Sequence, residues 1–496
     1  MSKILIIGGG VSGLSAGIYS CLSGHETILC EKHFVPGGNL TGWQRGDYHI
    51  DNCIHWLTGT NPATDTYRMW EDLGALGEGV EVYQADTLYT CELGGERLSL
   101  YRDLDATERE MLSLSPEDSR RIRSFINAVK VMQSLSGIGG KEHNHAISAA
   151  TIAHLPALIK YYRLTVNELA KSFKHPLIRY FISSFWGEDF GALALLTVFA
   201  TFTADNGGIP KGSSVAMANR MAERFESLGG RLLLKKEAVK INHEGRTATS
   251  AVFSDGEVIE ADYIVLASDP AIAFDKLLSL PMPKKLREQY ESAHMKRFSS
   301  YQCAFSCEEA KLPFSGDFIF EVPNKYRPLV GTDRLVLREF SHEPSFAPKG
   351  ENVIQTLTFC YEDGAKDFID LRKTDRVAYK KRKEKISAVF SRIITRKFPS
   401  LAGKLKCIDV WTPATYKRYT GAEVGSYMSF VLPSKLLPMP LSARIDSLKN
   451  VILATQWLHA PGGLPIAAAR GKAAIEEILK LERKLTKKQK LVTAKG

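Results

Sequence analysis

Three glycines and one acidic residue near the amino terminus have the types and spacing that bind a dinucleotide. Gly8, Gly10 and Gly13 form the pattern G-x-G-x-x-G, and Glu31 follows about twenty residues later. In this pattern the first glycine allows a tight turn, the second lets a pyrophosphate approach the backbone, and the third lets a helix pack close to a strand. The acid is placed to accept a hydrogen bond from a ribose hydroxyl. The pattern therefore predicts a site for the phosphates and ribose of a dinucleotide.

The elements that would position these residues surround them in the sequence. Residues 4–7 are all apolar, as in a strand that is buried on both faces of a parallel sheet. A helix is predicted over about 11–23, with the N–H groups of its first residues, Val11 and Ser12, directed at the phosphates. Residues 27–30 form a second strand that ends at Glu31. This order predicts a Rossmann-like α/β domain.

Two further stretches favour FAD as the dinucleotide. The sequence VPGGN (35–39) is a second glycine turn, where the cofactor could continue its path beside Gly38 and Asn39. Residues 450–479 read as a strand, a glycine-rich loop with Gly463 and Leu464, and an alanine-rich helix. The N-terminus of such a helix can stabilise negative charge at the pyrimidine edge of a reduced flavin. Since no second G-x-G-x-x-G occurs in the chain, a paired FAD and NAD reductase is not supported.

The sequence contains few signals for other kinds of catalytic or metal-binding site. The eight cysteines include no CxxC pair, so neither a zinc site nor a disulfide framework is predicted. We find no nucleophile with an adjacent base and no cluster of metal ligands. His55 is the best candidate for a polar, catalytic group near a flavin, and a hydrogen-bonded structural histidine is the alternative.

Composition and charge limit the class of protein. With 496 residues, 44% hydrophobic and 24% charged, two or three globular domains are expected. The uncharged run at 190–204 is shorter than the ~20 residues of a membrane span. The glycine-broken start does not resemble a signal peptide, so we expect a cytoplasmic protein.

Much of the net charge of +10 lies in 372–397 and 480–496. A solvated basic surface is expected there, with peripheral attraction to anionic lipid as the alternative and without nucleic-acid binding.

Five segments, taken in order, resemble one family of enzymes. They are GGGVSGLSAGIYSCLSGHETILCEK with PGGN, HIDNCIH (49–55), GGIPKGSSVAMANRMAERFESLGGRLLLKKEAVKI (207–241), TPATYKRYTGAEVGSYMSF (412–430) and APGGLPIAAARGKAA (460–474). Together they resemble the phytoene desaturase, carotenoid isomerase and retinol saturase family of FAD-dependent oxidoreductases. Within HIDNCIH, Asp51 and His55 stand on the matching positions of that family's FDxGxH segment.

With the patterns above, the resemblance implies a set of FAD-binding residues. Val239 would lie along the adenine. The expected set is Gly8, Gly10, Val11, Ser12, Gly13, Glu31, Lys32, Gly38, Asn39, Leu40, Val239, Gln456, Gly463 and Leu464.

The sequence also departs from the family at three places. Asn52 and Cys53 replace the small residue and glycine that are usual before His55, which would reshape the floor of the cavity. Ser213 stands where a second glycine is common. Gln456 and Trp457 stand where smaller residues often face the flavin. These differences bear on the substrate more than on FAD binding.

The predicted architecture is α/β, with a discontinuous, Rossmann-like FAD-binding domain of the glutathione-reductase type over 1–85, 205–285 and 410–485. Residues 86–204 are expected to form a helical cap, and 286–409 an antiparallel sheet with strands at 299–307, 317–322, 334–340 and 353–361. Cap and sheet would together form a substrate domain. A basic tail over 486–496 would follow the last segment of the FAD-binding domain. We expect a carbon-lined cavity between cap and sheet. Four aromatic residues are candidates for its wall, with packing in the core as the alternative: Phe185, Trp186, Phe199 and Phe202.

The leading hypothesis is an FAD-dependent oxidoreductase that acts on carbon–carbon bonds of an apolar isoprenoid, carotenoid or retinoid-like lipid. It would desaturate, saturate or isomerise by hydride transfer to or from flavin N5. Dioxygen, a quinone and NAD(P)H are all open as redox partners. One alternative is a flavin amine oxidase, which needs an aromatic cage for which Trp457 is the single hint. The other is a non-catalytic lipid-binding escort protein without flavin, against which the intact phosphate loop argues.

Overall fold

The structure is a computed structural model that describes residues 1–135, 156, 158–185, 187, 189–308, 312–436 and 439–493. Its strands are β1 (Lys3–Ile7), β2 (Glu26–Cys30), β3 (Gly42–Arg45), β4 (Tyr48–Asp51), β5 (Leu57–Thr58), β6 (Val82–Tyr83), β7 (Thr87–Leu93), β8 (Glu96–Tyr101), β9 (Gly207–Pro210), β10 (Arg231–Leu233), β11 (Ala238–Glu244), β12 (Thr247–Phe253), β13 (Val258–Glu260), β14 (Tyr263–Leu266), β15 (Phe298–Cys307), β16 (Asp317–Glu321), β17 (Arg334–Glu339), β18 (Asn352–Tyr361), β19 (Leu405–Trp411) and β20 (Val451–Leu453).

The helices within the described residues connect these strands and cover the sheets that they form. They are α1 (Val11–Leu22), α2 (Asp65–Asp72), α3 (Leu104–Leu114), α4 (Ser119–Leu135), α5 (Val166–Lys171), α6 (Pro176–Ser184), α7 (Ala192–Thr203), α8 (Ser213–Ser227), α9 (Pro270–Ile272, continued by a π-helix over Ala273–Leu278), α10 (Lys284–Glu291), α11 (Arg327–Val330), α12 (Glu362–Thr374), α13 (Arg376–Lys397), α14 (Pro413–Thr420) and α15 (Leu464–Thr493).

A five-stranded parallel sheet brings distant parts of the chain together. Its order is β10-β2-β1-β14-β20, so that strands from the beginning, the middle and the end of the sequence are neighbours. β1 and β14 are almost entirely buried, because helices cover both faces of the sheet. α1 packs against α8 and α15 beside this sheet. The Rossmann-like α/β architecture is confirmed.

A seven-stranded sheet forms the second layer, in the order β19-β15-β18-β17-β16-β7-β8. The four strands expected between 299 and 361 are present and pair as antiparallel neighbours. Helices α4, α6 and α7 share an apolar core with one face of this sheet, while α13 packs on the other face through Ile386, Phe390 and Ile393. The sheet is therefore buried on both sides.

The beginning of the expected helical cap is a correction. Residues 87–101 form β7 and β8, a hairpin that joins the large sheet through a parallel pairing of β7 with β16. The alternating sequence TLYTCEL and the Gly94-Gly95 turn account for the hairpin, since alternation and a glycine pair favour strands over helix. Within the segment expected as the cap, the first helix begins at Leu104.

The carboxy-terminal tail also differs from the prediction. The segment expected as a separate basic tail from residue 486 continues α15 as far as Thr493, and 494–496 lie outside the described residues. The stretch contains leucine and lysine and lacks glycine and proline up to that point, which favours a continuing helix. No helix in the described part of the chain is both long and apolar enough to cross a membrane.

Candidate active site

The turn after β1 leaves one glycine open to a ligand and packs another tightly. Gly8 has φ +110°, which favours glycine over residues with a side chain. A Cβ placed on Gly13 would overlap the carbonyl oxygen of Gly8, so α1 can approach β1 only without a side chain there. A Cβ on Gly10 would meet no atom closer than 3.8 Å. Space is therefore open beside the backbone of Gly10, directly before α1 begins.

Glu31 directly follows β2, beside this turn. Its Oε2 accepts a hydrogen bond from the backbone N–H of Gly9 at 2.7 Å, and its Oε1 accepts one from His33 N–H at 2.9 Å. The side chain is buried, with 6% of its surface exposed. A carboxylate has about four acceptor positions, so Glu31 retains lone pairs that can accept from a ribose hydroxyl.

A cavity of about 840 Å³ begins at the glycine turn and continues to the large sheet. Thirteen of the fourteen predicted FAD-binding residues line it, and Gly13 instead lies at the contact between α1 and β1. Those lining it are Gly8, Gly10, Val11, Ser12, Glu31, Lys32, Gly38, Asn39, Leu40, Val239, Gln456, Gly463 and Leu464. Burial lowers the pKa of the Lys32 ammonium group within this wall. Val239 is 45% exposed, which places it near the rim.

The last part of the chain forms the opposite wall. Gln456 donates to the carbonyl of Tyr427 at 3.0 Å and accepts from the N–H of Gly463 at 2.7 Å, which ties the glycine-rich loop to the neighbouring segment. α15 begins at Leu464, so its free N–H groups lie at the cavity. Ser15 of α1 donates to the carbonyl of Ala468 at 2.7 Å, so both helices are held together beside one cavity.

These features fit FAD. Open space at Gly10 and free acceptor capacity at Glu31 suit a pyrophosphate and a ribose. At the far end, Ser426 lines the cavity, and its buried hydroxyl has no hydrogen-bond partner among the described residues. A bound ligand with polar ring atoms would satisfy it.

His55 lies in the same cavity beside a buried ion pair. Its Nδ1 is 4.0 Å from Oδ2 of Asp317, and Arg338 donates to both oxygens of that carboxylate at 2.7 and 2.6 Å. The exposed 31% of the His55 side chain faces the cavity. Burial, with a further contribution from Arg338, lowers the pKa of His55 well below 6.5. The imidazole is therefore neutral near pH 7 and can accept a proton.

Asp51, which matched the same family segment, has a structural position. Its buried carboxylate accepts from the N–H and hydroxyl of Ser214 at 2.8 and 2.7 Å and from Cys53 N–H at 3.1 Å. These bonds join the end of β4 to the first turn of α8. Burial raises the pKa of Asp51.

Sequence reasoning missed a polar group at the cavity wall. Tyr416 of α14 accepts from Gln302 Nε2 at 2.8 Å and donates to Asn52 Oδ1 at 2.9 Å, and all three residues line the cavity. The unusual Asn52 was the only sequence signal for it. Strand register, which no spacing predicts, brings in Gln302.

The expected aromatic wall is only partly correct. Phe185 lines the cavity, whereas Phe199 and Phe202 are buried in the helical core, where Phe199 packs against Tyr89 and Phe181. Both are buried because α7 is apolar around most of its circumference, which is typical of a helix inside a core. Trp186 lies outside the described residues.

Known proteins resemble this chain over most of its length. The family model described as flavin containing amine oxidoreductase matches residues 11–378. Prolycopene isomerase 1, chloroplastic, of an Oncidium hybrid cultivar is 23% identical over 473 residues, which cover 88% of this chain and 77% of the isomerase. The lycopene-forming phytoene desaturase of a Paracoccus species is 23% identical over 503 residues, covering 96% and 97% of the two chains.

Solved structures share the fold. An oxidoreductase from Methanosarcina mazei superimposes with a TM-score of 0.60 at 14% identity, over 96% of this chain and 100% of the other. Putrescine oxidase bound to putrescine gives a TM-score of 0.57 at 13% identity, over 97% and 99%.

Proposed function

Because the chain belongs to the family of flavin-containing amine oxidoreductases, we propose that this FAD-dependent oxidoreductase acts on carbon–carbon bonds of an apolar isoprenoid, carotenoid or retinoid-like lipid. The observation that supports this substrate class is the continuity of the cavity. It passes from the glycine turn to a floor formed by Leu357, Val336 and Ile319 of the large sheet. Relatives named as a prolycopene isomerase and a phytoene desaturase add support.

The chain's own residues have three tasks in such a reaction. When bound, FAD supplies hydride transfer between a substrate carbon and flavin N5. The apolar floor orients the chain of the substrate and excludes water. His55, neutral and open to the cavity, can accept the proton released from the neighbouring carbon. The proposal covers desaturation, saturation and isomerisation, with dioxygen, a quinone or NAD(P)H as redox partner.

The predicted FAD-binding residues are part of the proposal. We infer that Gly10, Val11 and Ser12 hold the pyrophosphate, Glu31 the adenosine ribose, and Gln456, Gly463 and Leu464 the flavin end. This arrangement uses the two helix N-termini that meet at the cavity.

Anaerobic photoreduction tests the function directly. Purified holoprotein is reduced under argon and mixed separately with phytoene, lycopene, prolycopene, dioxygen and a quinone. We expect at least one polyene to restore the oxidised flavin spectrum, which indicates saturation, or to be isomerised while the flavin stays reduced, as seen by chromatography. For desaturation, the oxidised holoprotein is mixed with the same polyenes under argon, and loss of the oxidised flavin spectrum is expected. The matched control is squalane, a saturated lipid of similar size. A flavin-loaded protein that neither reacts with nor isomerises any polyene contradicts the proposal.

Flavin amine oxidation is the second candidate, favoured by one observation. The rings of Tyr416 and Tyr427 lie 5.4 Å apart in the cavity wall, at an interplanar angle of 42°. Trp457, the hint from the sequence, also lines the cavity, and its ring stacks on Tyr290 at 5.4 Å in a small core. Peroxide release from putrescine or a long-chain amine would establish this activity. Since the family consists of oxidoreductases, the non-catalytic escort hypothesis loses its support.

Peripheral membrane contact is a further part of the proposal. α13 buries its apolar face against the large sheet and leaves Lys380, Lys381 and Lys385 exposed. Such a basic surface attracts anionic headgroups by about 1 kcal/mol for each charge near the surface. Contact through this basic surface would place the cavity near the lipid bilayer, in which an apolar substrate dissolves.

A further inference from the structure

Gln302 is a buried amide whose hydrogens are both used and whose oxygen is not. It lies on β15, is 3% exposed and lines the cavity. Its Nε2 donates to Ser300 Oγ at 3.1 Å and to Tyr416 Oη at 2.8 Å. Its Oε1 accepts no hydrogen bond from any residue that the structure describes. Gln302 therefore presents an unsatisfied amide acceptor to the cavity.

The neighbours of Gln302 determine which way its amide points. Tyr416 Oη donates its single hydrogen to Asn52 Oδ1 at 2.9 Å and also accepts from Trp411 Nε1 at 3.1 Å. With its hydrogen on Asn52, Tyr416 Oη has two lone pairs, which accept from Trp411 Nε1 and from the Gln302 atom that lies 2.8 Å away. That atom of Gln302 must therefore be a donor. This assignment places Nε2 toward Tyr416 and leaves Oε1 for the cavity.

An apolar row continues from Gln302 across the sheet. Gln302 pairs with Leu357, Leu357 with Val336, and Val336 with Ile319, and all four side chains line the cavity. Three strand spacings separate the ends of this row, which is roughly 14 Å. The row thus has one polar end and three apolar positions.

We propose that Gln302 Oε1 accepts a hydrogen bond from a hydroxyl group of the substrate, whose hydrocarbon chain lies over Leu357, Val336 and Ile319. This substrate is an isoprenoid alcohol rather than a pure hydrocarbon, and the inference rests on the proposed function. An anionic head group is disfavoured because the free atom is an acceptor. An ammonium group is disfavoured because the Asp317 carboxylate in the cavity is already paired with Arg338.

Asn52 belongs to this head-group site as a positioning residue. It stands where the related family segment has a small residue, and its side chain holds the Tyr416 hydroxyl. The departure in sequence and the unsatisfied amide therefore lie in the same group of contacts.

A matched ligand series tests the assignment. Holoprotein is titrated with farnesol, its methyl ether and the corresponding hydrocarbon, and binding is followed by the change in flavin absorbance. Because the ether cannot donate, farnesol should bind roughly 10-fold tighter or more. Gln302→Met should abolish this preference, whereas Leu357→Ala should weaken all three ligands alike and leave the ratio unchanged.

The outcomes separate this inference from the proposed function. Equal affinities of alcohol and ether for the wild-type protein overturn the hydroxyl assignment, even if Gln302→Met fails to retain flavin. An undiminished preference in Gln302→Met also overturns it. If the hydrocarbon binds and reacts with the flavin as well as the alcohol does, the function stands and the assignment falls. If no member of the series binds and no polyene reacts, both fall.

Discussion

At the scale of single residues, the site depends on a glycine without a side chain and on a histidine without a charge. Gly10 leaves open space where a phosphate can approach, and His55 faces the cavity as a neutral base. Both properties come from the immediate surroundings of one residue. They can therefore be tested by single substitutions with little effect elsewhere.

Gly10→Val should abolish FAD retention without unfolding the protein. Gly10 has φ −72°, which valine tolerates, and the nearest atoms to a new Cβ are 3.8 Å away. The side chain would instead fill the space proposed for the pyrophosphate. Flavin content per polypeptide after gel filtration measures the effect, with Gly364→Ala in α12 as a glycine control away from the cavity. Full flavin content in Gly10→Val would show that the phosphate lies elsewhere.

His55→Gln should lower turnover roughly 100-fold or more while the flavin content is unchanged, since a general base contributes at least that factor. The comparison is the steady-state rate with the best polyene from the photoreduction assay. Because the pKa of His55 is well below 6.5, the wild-type rate should show no inflection from this residue near pH 6.5. His243→Gln, on the exposed part of β11, is the control. Unchanged turnover would assign His55 a structural role.

His342 should make the folded state sensitive to acid. Burial lowers its pKa to about 4, although Glu339 acts in the opposite direction, whereas the unfolded value is 6.5. Between these values the unfolded chain binds more protons, so stability falls as pH decreases below 6.5. From pH 7 to pH 5 the loss is about 2 kcal/mol.

His342→Phe should remove that loss and retain the stacking on Tyr83, whose ring lies 4.7 Å from that of His342. Urea denaturation of both proteins at the two pH values measures the difference. An identical pH dependence in wild type and variant would contradict the assignment.

At the scale of elements, two helices from opposite ends of the chain form one binding wall. α1 and α15 approach so closely that a Cβ on Gly471 would overlap the carbonyl oxygen of Ser12. Ser15 adds a hydrogen bond across the same contact. Because both helices begin at the cavity, their spacing determines the distance between the two proposed halves of the cofactor site.

Gly471→Ala should therefore weaken FAD binding as well as stability. The clash is with backbone, so we expect the helices to separate and unfolding free energy to fall by about 1–3 kcal/mol. Flavin affinity from fluorescence titration of the apoprotein and thermal denaturation are the two measurements. Glu476→Ala, at an exposed position of α15, should change stability by less than about 0.5 kcal/mol. Normal flavin affinity in Gly471→Ala would show that helix spacing is unimportant.

At the scale of the whole molecule, the exposed lysines of α13 and the cavity belong to different layers of the fold. The parallel sheet and α1 hold one end of the cavity, the large sheet holds the other, and α13 covers the outer face of that sheet. The exposed lysines of α13 are therefore available to a surface outside the molecule.

Replacement of Lys380, Lys381 and Lys385 by alanine should reduce binding to vesicles that contain phosphatidylserine by roughly 100-fold at low salt. Cosedimentation with vesicles of phosphatidylcholine alone, and with added salt, should show little binding for either protein. Lys284→Ala with Lys285→Ala in α10, which removes two exposed positive charges from another helix, is the control. Equal binding of the α13 variant and the wild type would exclude this surface.

The sequence by itself determined the elements whose chemistry is local. The glycine turn, α1, β2 and the acid at its end are contiguous, and their backbone geometry follows from the residue types in one stretch of about thirty positions. The four strands between 299 and 361 were predictable for the same reason, since alternation is a property of consecutive residues. The hairpin of β7 and β8 had the same signal, although it was assigned to the cap.

Only the tertiary structure decided which distant residues meet. Gln302, Tyr416 and Asn52 come from three separate segments, as do His55, Asp317 and Arg338. Their contacts depend on strand order, on register and on the approach of α14 to the cavity. A shift of one residue in register would turn Gln302 away from the cavity, because side chains alternate between the two faces of a sheet. Spacing along the chain does not encode that choice, since packing of the whole molecule selects it.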